Sequence, residues 1–548
     1  MSILGKANSK TAGENSGAVP GGLPPISLGT WNIYFLAKFI LFWKGLIGFN
    51  PLYNLALAAL LIAPIASARW RKVRTIAAVP VAIALLYYDS WLPPFQRIWS
   101  QAPLILSFTP TYLVELVGRF INWNVIALLV IAWVVHYMLS QRVRIGVLTI
   151  VVLVALNVSK SHQPQNERNN NPIIATQTTT SNNTTLSLDD TLKNFFVSEA
   201  IRSISFPPPS PIAPPFDIIF IHICSLSWDD IKAVGLQNHP LWKRFDMVFT
   251  HFNSVSTYSG PAAIRILRST CGQSSHKELY DPAPSNCYLM SSLQRSGFQP
   301  NLALNHDGHF DDFLHIVQNQ GGLNIPPLPI KGLPVAQHAF DGSPVYDDLS
   351  VLSRWLDNRP KDSSSRVALY YNTISLHDGN YLTDSKVSGD SMETYKARLA
   401  KLLDELDQFM QKINYSGRRA LVVMVPEHGA AVRGDKMQIA GLREIPSPAI
   451  TLVPVGIKVI GPVARRSGDT LQVDEPTSFL AITYIVAQMM EKSPFEASGF
   501  FPANYTSGLP TTQFVAQNED ATMVEHDGRY YLKQRDGAWI NYDLGVHP

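Results

Sequence analysis

The chain has 548 residues, of which 46% are hydrophobic and 16% are charged, and its 45 basic and 42 acidic residues give a net charge of +3. Soluble globular proteins carry about 25% charged residues, which excludes one uniform soluble domain, and the small net charge argues against nucleic acid as the main partner. Residues 1–160 hold 13 basic and 3 acidic side chains, whereas the remainder holds 32 basic and 39 acidic. The second part is long enough for a large enzyme core.

The first 160 residues have the pattern of a membrane bundle. Residues 1–30 are rich in Gly, Ser, Asn and Pro, which predicts a flexible N-terminus without a cleaved signal peptide. Five apolar runs follow, and a membrane helix needs roughly 17–25 such residues. The runs are residues 31–49, 52–68, 75–92, 121–139 and 145–158. Together they predict a transmembrane bundle over residues 31–158, with an interfacial or re-entrant piece at 104–117.

Basic loops predict the orientation of this bundle, because short cytoplasmic loops are enriched in Lys and Arg. RWRKVR at 69–74 and QRVR at 141–144 are then cytoplasmic. Five crossings place the N-terminus in the cytoplasm and everything after residue 158 outside it; six crossings, with the C-terminal domain inside, are the alternative. Lys38 and Lys44 lie within the first run, where they either snorkel or face protein neighbours.

Residues 159–215 are polar and rich in proline, which is typical of a spacer. Within them, residues 186–204 are amphipathic and predict a helix lying on the domain or on the membrane surface.

Residues 216–548 predict an α/β domain. Short apolar strand-like runs lie at 217–223, 300–304, 367–372, 420–425 and 455–460, and helical patterns lie at 261–269, 344–357, 392–413 and 476–490. This alternation predicts a mostly parallel sheet with helices on both faces. Ligands of such sheets bind beyond the carboxyl ends of the strands.

Polar side chains stand at three of these strand ends. Cys224 follows the first strand, His377 and Asp378 follow a later one, and Glu427 and His428 follow another. Because parallel strands end at one edge, these residues can converge in a single crevice. Each cluster taken alone is equally compatible with a structural role.

Ser259 precedes Gly-Pro, where a helical pattern begins with proline at its first position. A hydroxyl at a helix N-terminus faces free N–H groups and the positive end of the dipole, which suits an anion or an activated serine. A plain N-cap is the alternative.

The chain has three cysteines. Cys271 and Cys287 enclose 15 residues of loop-like sequence, and a disulfide there is worth roughly 3 kcal/mol in the chain-entropy model. This pairing leaves Cys224 free, and a free thiolate is a strong zinc ligand. The alternative is a buried, inert thiol.

The motifs resemble a known family. They are HICSLSWDD, TYSGPAAIR, FDGSPVYDD, LHDGN, VPEHGA and GLREIPSP. They resemble the alkaline-phosphatase superfamily, which includes the sulfatases, and within it the membrane phosphoethanolamine and phosphoglycerol transferases, most closely the branch that modifies cellulose. This chain has Cys224, Ser259 and Glu427 where the wider transferase pattern has a carboxylate, a threonine and an aspartate, and these departures agree with the branch that modifies cellulose.

The resemblance implies a multi-pass protein of the bacterial inner membrane with a periplasmic catalytic domain. It implies transfer of phosphoethanolamine from phosphatidylethanolamine to the C6 hydroxyl of cellulose, with subunits of the cellulose synthase membrane complex as partners. It further implies one zinc ion bound by Cys224, Glu427, His428 and the oxygen of the nucleophile Ser259, and leaves a second metal open.

Four further side chains receive roles on this basis. His377 is the acid/base candidate, and Arg443 stabilises phosphate, unless it forms a structural pair with Glu444. Tyr258 contacts phosphate or sugar, unless it only packs in the core. Asp378 is a substrate-binding candidate.

His306 is also a substrate-binding candidate, and with Asp307 and His309 it lies either in a second metal or acceptor site or in a solvated loop.

Two rival functions remain. One is a phosphodiesterase or sulfatase of the same fold, although Ser259 does not lie in the C/S-x-P-x-R sequence of a sulfatase. The other is a membrane scaffold subunit of a polysaccharide synthase. The sequence contains no Gly-rich ATP loop.

Overall fold

The computed structural model of this chain describes residues 28–44, 47–90, 95, 99, 108–119, 121, 123–140, 145–161, 187–210, 213–361, 364–383, 391–435, 437–462, 466, 468–496, 500–535 and 537–542. Most of the predicted N-terminal segment, the 141–144 loop, residues 104–107 and much of the predicted spacer lie outside these residues. The chain divides into two compact units, residues 1–92 with 122–175 and residues 93–121 with 176–548.

The first unit is helical. Its helices are Trp31–Trp43, Pro51–Ile62, Ala68–Asp89, Trp123–Ser140 and Ile145–Ser161, one within or overlapping each predicted run. Among the described residues no single helix is both long and apolar enough to cross a membrane, while the bent pair Tyr112–Arg119 with Trp123–Leu139 reaches that length and composition. The five-crossing topology therefore stays a prediction.

Lys38 faces protein neighbours in this unit. Its ammonium donates to Asn54 Oδ1 at 2.8 Å, to Asp89 Oδ2 at 2.5 Å and to the carbonyl of Leu85 at 3.4 Å. Asp89 also accepts hydrogen bonds from the side chain of Asn54 and from the backbone of Asn50. Among the described residues, the buried ammonium of Lys38 is thus paired with one carboxylate and hydrogen-bonded to two neutral oxygens.

The second unit is built on a seven-stranded sheet. Its strands are β1 Asp217–Ile223, β2 Met247–Asn253, β3 Gln299–Leu304, β6 Val367–Thr373, β8 Ala420–Pro426, β9 Leu452–Ile460 and β10 Leu471–Val473. They lie in the order β10-β2-β9-β8-β1-β6-β3. All neighbours pair in parallel except β9, which is antiparallel to β8 and β2. The prediction of a mostly parallel sheet is confirmed. β9 differs because the chain stays at the carboxyl edge after β8 and re-enters the sheet from that edge.

The strand β1 shows why these runs lack alternation. Ile218 and Phe220 pack into the core on one face of the sheet, and Ile219 and Ile221 pack into the core on the other. Both faces are covered by helices, so every position of the strand is buried.

The remaining helices and strands lie around this sheet. The helices are Leu188–Ala200, Trp228–Ala233, Leu241–Arg244, Ser259–Leu267, Leu289–Arg295, Phe313–Asn319, Asp348–Asn358, Ser391–Tyr415, Pro448–Thr451 and Phe479–Glu491, with 3-10 turns at Glu278–Tyr280, Ser285–Cys287, Phe310–Asp312, Arg359–Lys361 and Pro502–Tyr505. Two small antiparallel sheets were not predicted: β4 Val335–His338, β5 Pro344–Tyr346 and β7 Tyr381–Leu382 form one, and β11 Val515–Gln517, β12 Ala521–His526, β13 Arg529–Gln534 and β14 Ile540–Tyr542 form the other.

The predicted amphipathic helix forms at Leu188–Ala200 and packs on the second unit. Phe195 is buried against Val515 and Val524, and Glu199 accepts a hydrogen bond from the backbone of Gln273 at 2.9 Å.

A further helix, Pro110–Arg119, also belongs to the second unit, although it precedes Trp123–Ser140 of the first unit. We call it the docking helix. Its sequence predicted an interfacial or re-entrant piece, and nothing in the pattern indicated this assignment.

The second unit contains the disulfide that the loop sequence predicted. Cys271 and Cys287 are joined with their Cα atoms 5.0 Å apart, and Cys224 is the free cysteine.

Candidate active site and metal-binding cluster

Cys224, Glu427 and His428 form a buried cluster at the carboxyl edge of the sheet. Cys224 follows β1 and the other two follow β8, and these strands are adjacent and parallel, with Ile223 opposite Pro426. One ligand atom from each of the three side chains lies within 4.8 Å of the others. The parallel register therefore brings together a thiol, a carboxylate and an imidazole that are distant in sequence.

Two atoms of the cluster are placed to bind a cation, Glu427 Oε2 and His428 Nε2. Glu427 Oε2 is buried and has no hydrogen-bond partner among the described residues. The Nδ1–H of His428 donates to the carbonyl of Gly429 at 2.9 Å, which places the lone pair on Nε2, the usual arrangement for a metal-binding histidine. Arg443 Nη1 lies 3.5 Å from this nitrogen. His428 Nε2 and Glu427 Oε2 are 3.6 Å apart.

The electrostatics of the cluster also suit a cation. Burial raises the pKa of Glu427 to about 7, against the opposing effect of nearby polar side chains that include Ser259 and Asn372. Burial, followed by the charge of Glu427, raises the pKa of the Cys224 thiol to about 12. A bound cation would offset both effects, and sulfur, oxygen and nitrogen together are a donor set that zinc accepts. The residues present therefore fit a zinc ion.

Ser259 is the first residue of the helix Ser259–Leu267 and lies beside this cluster. Its hydroxyl oxygen is 3.5 Å from the sulfur of Cys224. Tyr258 is the N-cap residue of the helix, so Ser259 lies within its first turn, where backbone N–H groups are unpaired. The hydroxyl thus meets both the cluster and the positive end of a helix.

Arg443 lies against the same cluster. Its Nη1 donates to Ser225 Oγ at 3.2 Å and lies 3.1 Å from His428 Nδ1, and its guanidinium stands 5.7 Å from the ring centre of Tyr258. The hydroxyl of Tyr258 donates to Glu444 Oε1 at 2.6 Å. Arg443 therefore brings positive charge to the site, and Glu444 accepts a hydrogen bond from Tyr258.

His377 stands between two phenylalanine rings at the edge of the site. Its ring centre is 5.5 Å from that of Phe310 and 5.1 Å from that of Phe340. The Nδ1–H donates to the carbonyl of Asp378 at 2.8 Å, which leaves the Nε2 lone pair free. Burial, with a smaller contribution from the charge of Arg443, lowers the pKa of His377 to about 4. The imidazole is consequently neutral at physiological pH, with its lone pair on Nε2.

A small cavity, partly open to solvent, is lined by Ser259 and His377. Phe310, Phe340 and Asp341 contribute to its lining. An apolar wall with a few polar groups next to a nucleophile is the usual setting for a substrate.

His306 lines this cavity, but both of its ring nitrogens are hydrogen-bonded. Nε2–H donates to Asn372 Oδ1 at 2.9 Å, and Nδ1 accepts from the backbone of Gly308 at 3.1 Å. Asn372 in turn donates to Glu427 Oε1 at 2.5 Å. The geometry thus links His306 to the cluster through Asn372, and its predicted contact with substrate stays a prediction.

His309 and the two acids near it form a separate group at the cavity. His309 contacts Asp307 through Nδ1 and Asp341 through Nε2, the latter at 3.2 Å. Asp307 and His309 are largely exposed, which favours the predicted solvated loop for these two over a second metal site.

Asp378, also a predicted substrate-binding residue, is held by the docking helix. Arg119 and Tyr112 both donate to its carboxylate. Burial alone would raise the pKa of Asp378, but the hydrogen bonds and charge of Arg119 outweigh burial and lower this pKa to about 2. The carboxylate is thus committed to Arg119 and Tyr112, and direct binding of substrate remains untested.

Asn372, Tyr112 and Arg119 were not identified from the sequence. A polar residue inside the apolar run VALYYNT was the only available signal for Asn372. The two residues of the docking helix make contacts with partners more than 250 positions away, for which no local pattern exists.

Comparison with known proteins identifies relatives across most of the chain. A model of the C-terminal domain of cellulose biosynthesis protein BcsG matches residues 173–539, and a model of its N-terminal domain matches residues 31–158. Cellulose biosynthesis protein BcsG of Escherichia coli K12 is 42% identical over 541 residues, covering 94% of this chain and 96% of that protein. The protein of the same name from Salmonella typhimurium LT2 is 41% identical over the same shares of both chains.

Among solved structures, a protein of the alkaline phosphatase superfamily from Vibrio parahaemolyticus is similar, with a TM-score of 0.46 and 13% identity. The match covers 65% of this chain and 89% of that one.

Proposed function

The chain belongs to the BcsG family of cellulose biosynthesis proteins, and on that premise we propose that it transfers phosphoethanolamine from phosphatidylethanolamine to the C6 hydroxyl of cellulose. The observation that carries this proposal is the hydroxyl of Ser259, 3.5 Å from the Cys224 sulfur of a buried cluster in which Glu427 Oε2 has no hydrogen-bond partner among the described residues. A serine in that position is a nucleophile for phosphoryl transfer.

The first half-reaction charges the serine. The oxygen of Ser259 bonds to the phosphorus of the donor, the bond from phosphorus to the glyceryl oxygen breaks, and the serine proton ends on the departing diacylglycerol. Arg443 and the N–H groups at the start of the Ser259–Leu267 helix stabilise the charge on the non-bridging phosphate oxygens.

Cys224, Glu427 and His428 are the residues that would hold a zinc ion beside Ser259. Zinc in this cluster would lower the pKa of the serine hydroxyl and offset negative charge in the transition state. The three side chains are buried, and the hydrogen bond from Asn372 holds Glu427 in the orientation needed to bind an ion.

The second half-reaction transfers the group to the sugar. The C6 oxygen of a glucosyl unit bonds to phosphorus, the bond from phosphorus to Ser259 breaks, and the hydroxyl proton passes to the serine oxygen. His377 is neutral with a free Nε2, which favours it as the base that receives this proton first and then returns it.

The cavity beside Ser259 is our candidate for the ethanolamine end of the donor. Phe310 and Phe340 present aromatic rings to it and Asp341 presents a carboxylate. A cation bound by aromatic rings and a carboxylate is favoured electrostatically.

We place the catalytic unit in the periplasm of a bacterium, with the helices of the first unit in the inner membrane. The disulfide Cys271–Cys287 supports an oxidising compartment. Subunits of the cellulose synthase complex are the proposed membrane partners.

The two rival functions make different demands on Ser259. A phosphodiesterase discharges the modified serine to water, whereas a scaffold has no use for a hydroxyl beside three converging ligands. The convergence of these residues favours an enzyme over a scaffold.

The test separates the two half-reactions. Zinc-loaded full-length protein is incubated with phosphatidylethanolamine vesicles, and the peptide containing Ser259 is analysed by mass spectrometry, with Ser259→Ala as control. We expect an added phosphoethanolamine group that cello-oligosaccharide removes while becoming modified itself. Discharge to water with no modified sugar would favour the phosphodiesterase, and zinc-bound protein that gains no group would exclude the transferase.

A further inference from the structure

The docking helix contacts two loops that carry groups proposed for catalysis. It reaches the loop after β6, which holds His377, and the loop that leads through Gly441 to Arg443. Resting on the proposed function above, we propose that the docking helix is a positioning element of the active site, which holds His377 and Arg443 in place through these two loops.

The contact with the first loop is a bidentate ion pair. Arg119 Nη1 donates to Asp378 Oδ2 at 2.6 Å and Nη2 donates to Oδ1 at 2.9 Å, while the hydroxyl of Tyr112 donates to Oδ2 at 2.9 Å. The side chains are 11% exposed for Arg119 and 20% for Asp378, so solvent screens the pair weakly. Glu115, one turn earlier in the helix, accepts a bond from the same guanidinium at 2.8 Å and orients it. Paired donors of this kind fix orientation as well as distance.

Orientation of Asp378 matters because its backbone carbonyl sets the tautomer of His377. That carbonyl accepts the Nδ1–H of His377 at 2.8 Å, which keeps the Nε2 lone pair for the acceptor proton. On the inner side, Arg398 donates to the carbonyl of His377 at 2.9 Å. The loop is therefore held from inside by Arg398 and from outside by the docking helix.

Two glycines make room for the docking helix. A Cβ on Gly379 would lie 2.8 Å from Cε2 of Tyr112, and a Cβ on Gly441 would collide with the guanidinium of Arg119. Both residues have positive φ, +79° and +82° respectively, which glycine adopts most easily. The docking helix therefore packs directly against the backbone of both loops, at positions where a side chain larger than glycine would clash.

The docking helix and the two residues before it, Phe108 and Thr109, also support the wall of the cavity. The rings of Phe108 and Tyr112 lie 5.0 and 6.1 Å from the ring of Phe340, which contacts His377 in turn. The backbone N–H of Thr109 donates to the carbonyl of Phe340 at 3.0 Å. The contact is thus aromatic near Phe108, which reaches His377 through Phe340. It is polar at Arg119, which reaches His377 through Asp378.

A consequence is that residues 216–548, the predicted catalytic domain, do not contain the whole active site. A segment lying between two apolar runs of the sequence completes it.

The test uses zinc-loaded full-length protein carrying Arg119→Gln, Asp378→Asn or both. Each single change should lower kcat for transfer by about 10- to 100-fold, because small misplacements of a catalytic group have effects of that size, with KM for phosphatidylethanolamine changed less than about threefold. The double variant should be no worse than either single one, since the same interaction is lost only once. Arg119→Lys should recover part of the loss, because it restores charge without the planar fork.

Hydrogen exchange supplies a readout that does not depend on activity. Peptides covering residues 374–383 and 439–445 should exchange faster in Arg119→Gln than in wild type. The matched control is Arg244→Gln, which breaks a surface pair with Asp407 of 3.1 Å and should change neither exchange in these peptides nor kcat.

Three results would overturn the proposal. The first is wild-type hydrogen exchange of these peptides in Arg119→Gln, and the second is a loss of kcat in the double variant equal to the product of the two single losses. The third is a loss of kcat fully accounted for by reduced zinc content. If the wild-type protein modifies neither Ser259 nor sugar, the proposed function fails, and the exchange data alone still decide whether the docking helix holds the two loops.

Discussion

Each unit of the molecule buries a cluster of ionisable side chains, and the two clusters differ in what their atoms have left to bind. In the first unit, Lys38 directs its ammonium to Asn54, Asp89 and a backbone carbonyl, so that its donors are used within the cluster. Such a closed arrangement holds helices together and leaves no ligand atom for a further group.

The cluster of the second unit is open. Glu427 Oε2 has no hydrogen-bond partner among the described residues, and the lone pair of His428 lies on Nε2, where the Nη1 of Arg443 at 3.5 Å is its neighbour. A buried polar group without a hydrogen-bond partner lowers stability. Proteins keep such groups mainly where they bind a ligand or a metal ion. The difference between the clusters is the one expected between a structural use of buried charge and the function proposed for Cys224, Glu427 and His428.

The largest expected effect comes from removing Ser259, the proposed nucleophile beside the open cluster. Ser259→Ala should lower the transfer rate by about 10³-fold or more, because no oxygen remains to take the phosphoryl group. Zinc content by plasma mass spectrometry and the melting temperature should stay near those of wild type. Wild-type modification of cellulose by this variant would remove Ser259 from the mechanism.

In the closed cluster, one substitution should destabilise the unit and a second should compensate for it. Lys38→Met leaves Asp89 buried without its partner and should cost about 3–5 kcal/mol of unfolding free energy, whereas Lys38→Met with Asp89→Leu should be nearly neutral. Denaturation in detergent measures both. A double variant as unstable as the single one would show that the cluster is not simply structural.

Removing the disulfide should affect the second unit alone. Replacing Cys271 and Cys287 by serine should lower its unfolding free energy by about 3 kcal/mol, seen by calorimetry as a shift of one transition. An unchanged thermogram would show that the bridge adds no stability.

Loss of one ligand from the open cluster should weaken metal binding. Cys224→Ala should reduce zinc affinity by at least about 10-fold, since even the loss of supporting residues has effects of this size. Competition with a chromophoric chelator measures the affinity, with Cys271→Ser/Cys287→Ser as a control that lacks the other two cysteines. Equal affinity in wild type and Cys224→Ala would make the thiol a packing group.

The smallest effect concerns pH. The lowered pKa of His377, about 4, keeps the imidazole unprotonated as the pH falls through the usual histidine range. A base acts only in its unprotonated form, so discharge of the modified serine to sugar should stay constant from pH 7 to about 5 and decline near pH 4. Rapid-quench measurement, with His377→Gln lacking this decline, tests the assignment. A midpoint near the ordinary histidine value would place the proton elsewhere.

Features that depend on neighbouring residues or on strand order could be predicted from the sequence. β1 and β8 are continuous apolar runs, and their parallel pairing brings Cys224 to Glu427 and His428. Cys271 and Cys287 lie at the two ends of one loop.

Features that depend on distant pairs could not be predicted. The charge of Arg119 gives no indication that its partner is Asp378, 259 positions later. Likewise, β2 was missed because Thr250 and His251 interrupt its apolar pattern, and its strand character comes from pairing with β9 and β10.

The reversed direction of β9 makes residues 427–451 a connection between two neighbouring strands. Because the chain leaves β8 and returns to the sheet at the same edge, two metal-binding candidates and Arg443 lie on one continuous segment, and both ends of that segment are fixed in the sheet. Exchange of that segment between homologous transferases would therefore transfer the candidate metal ligands and the proposed phosphate-binding arginine together, in a single chimera.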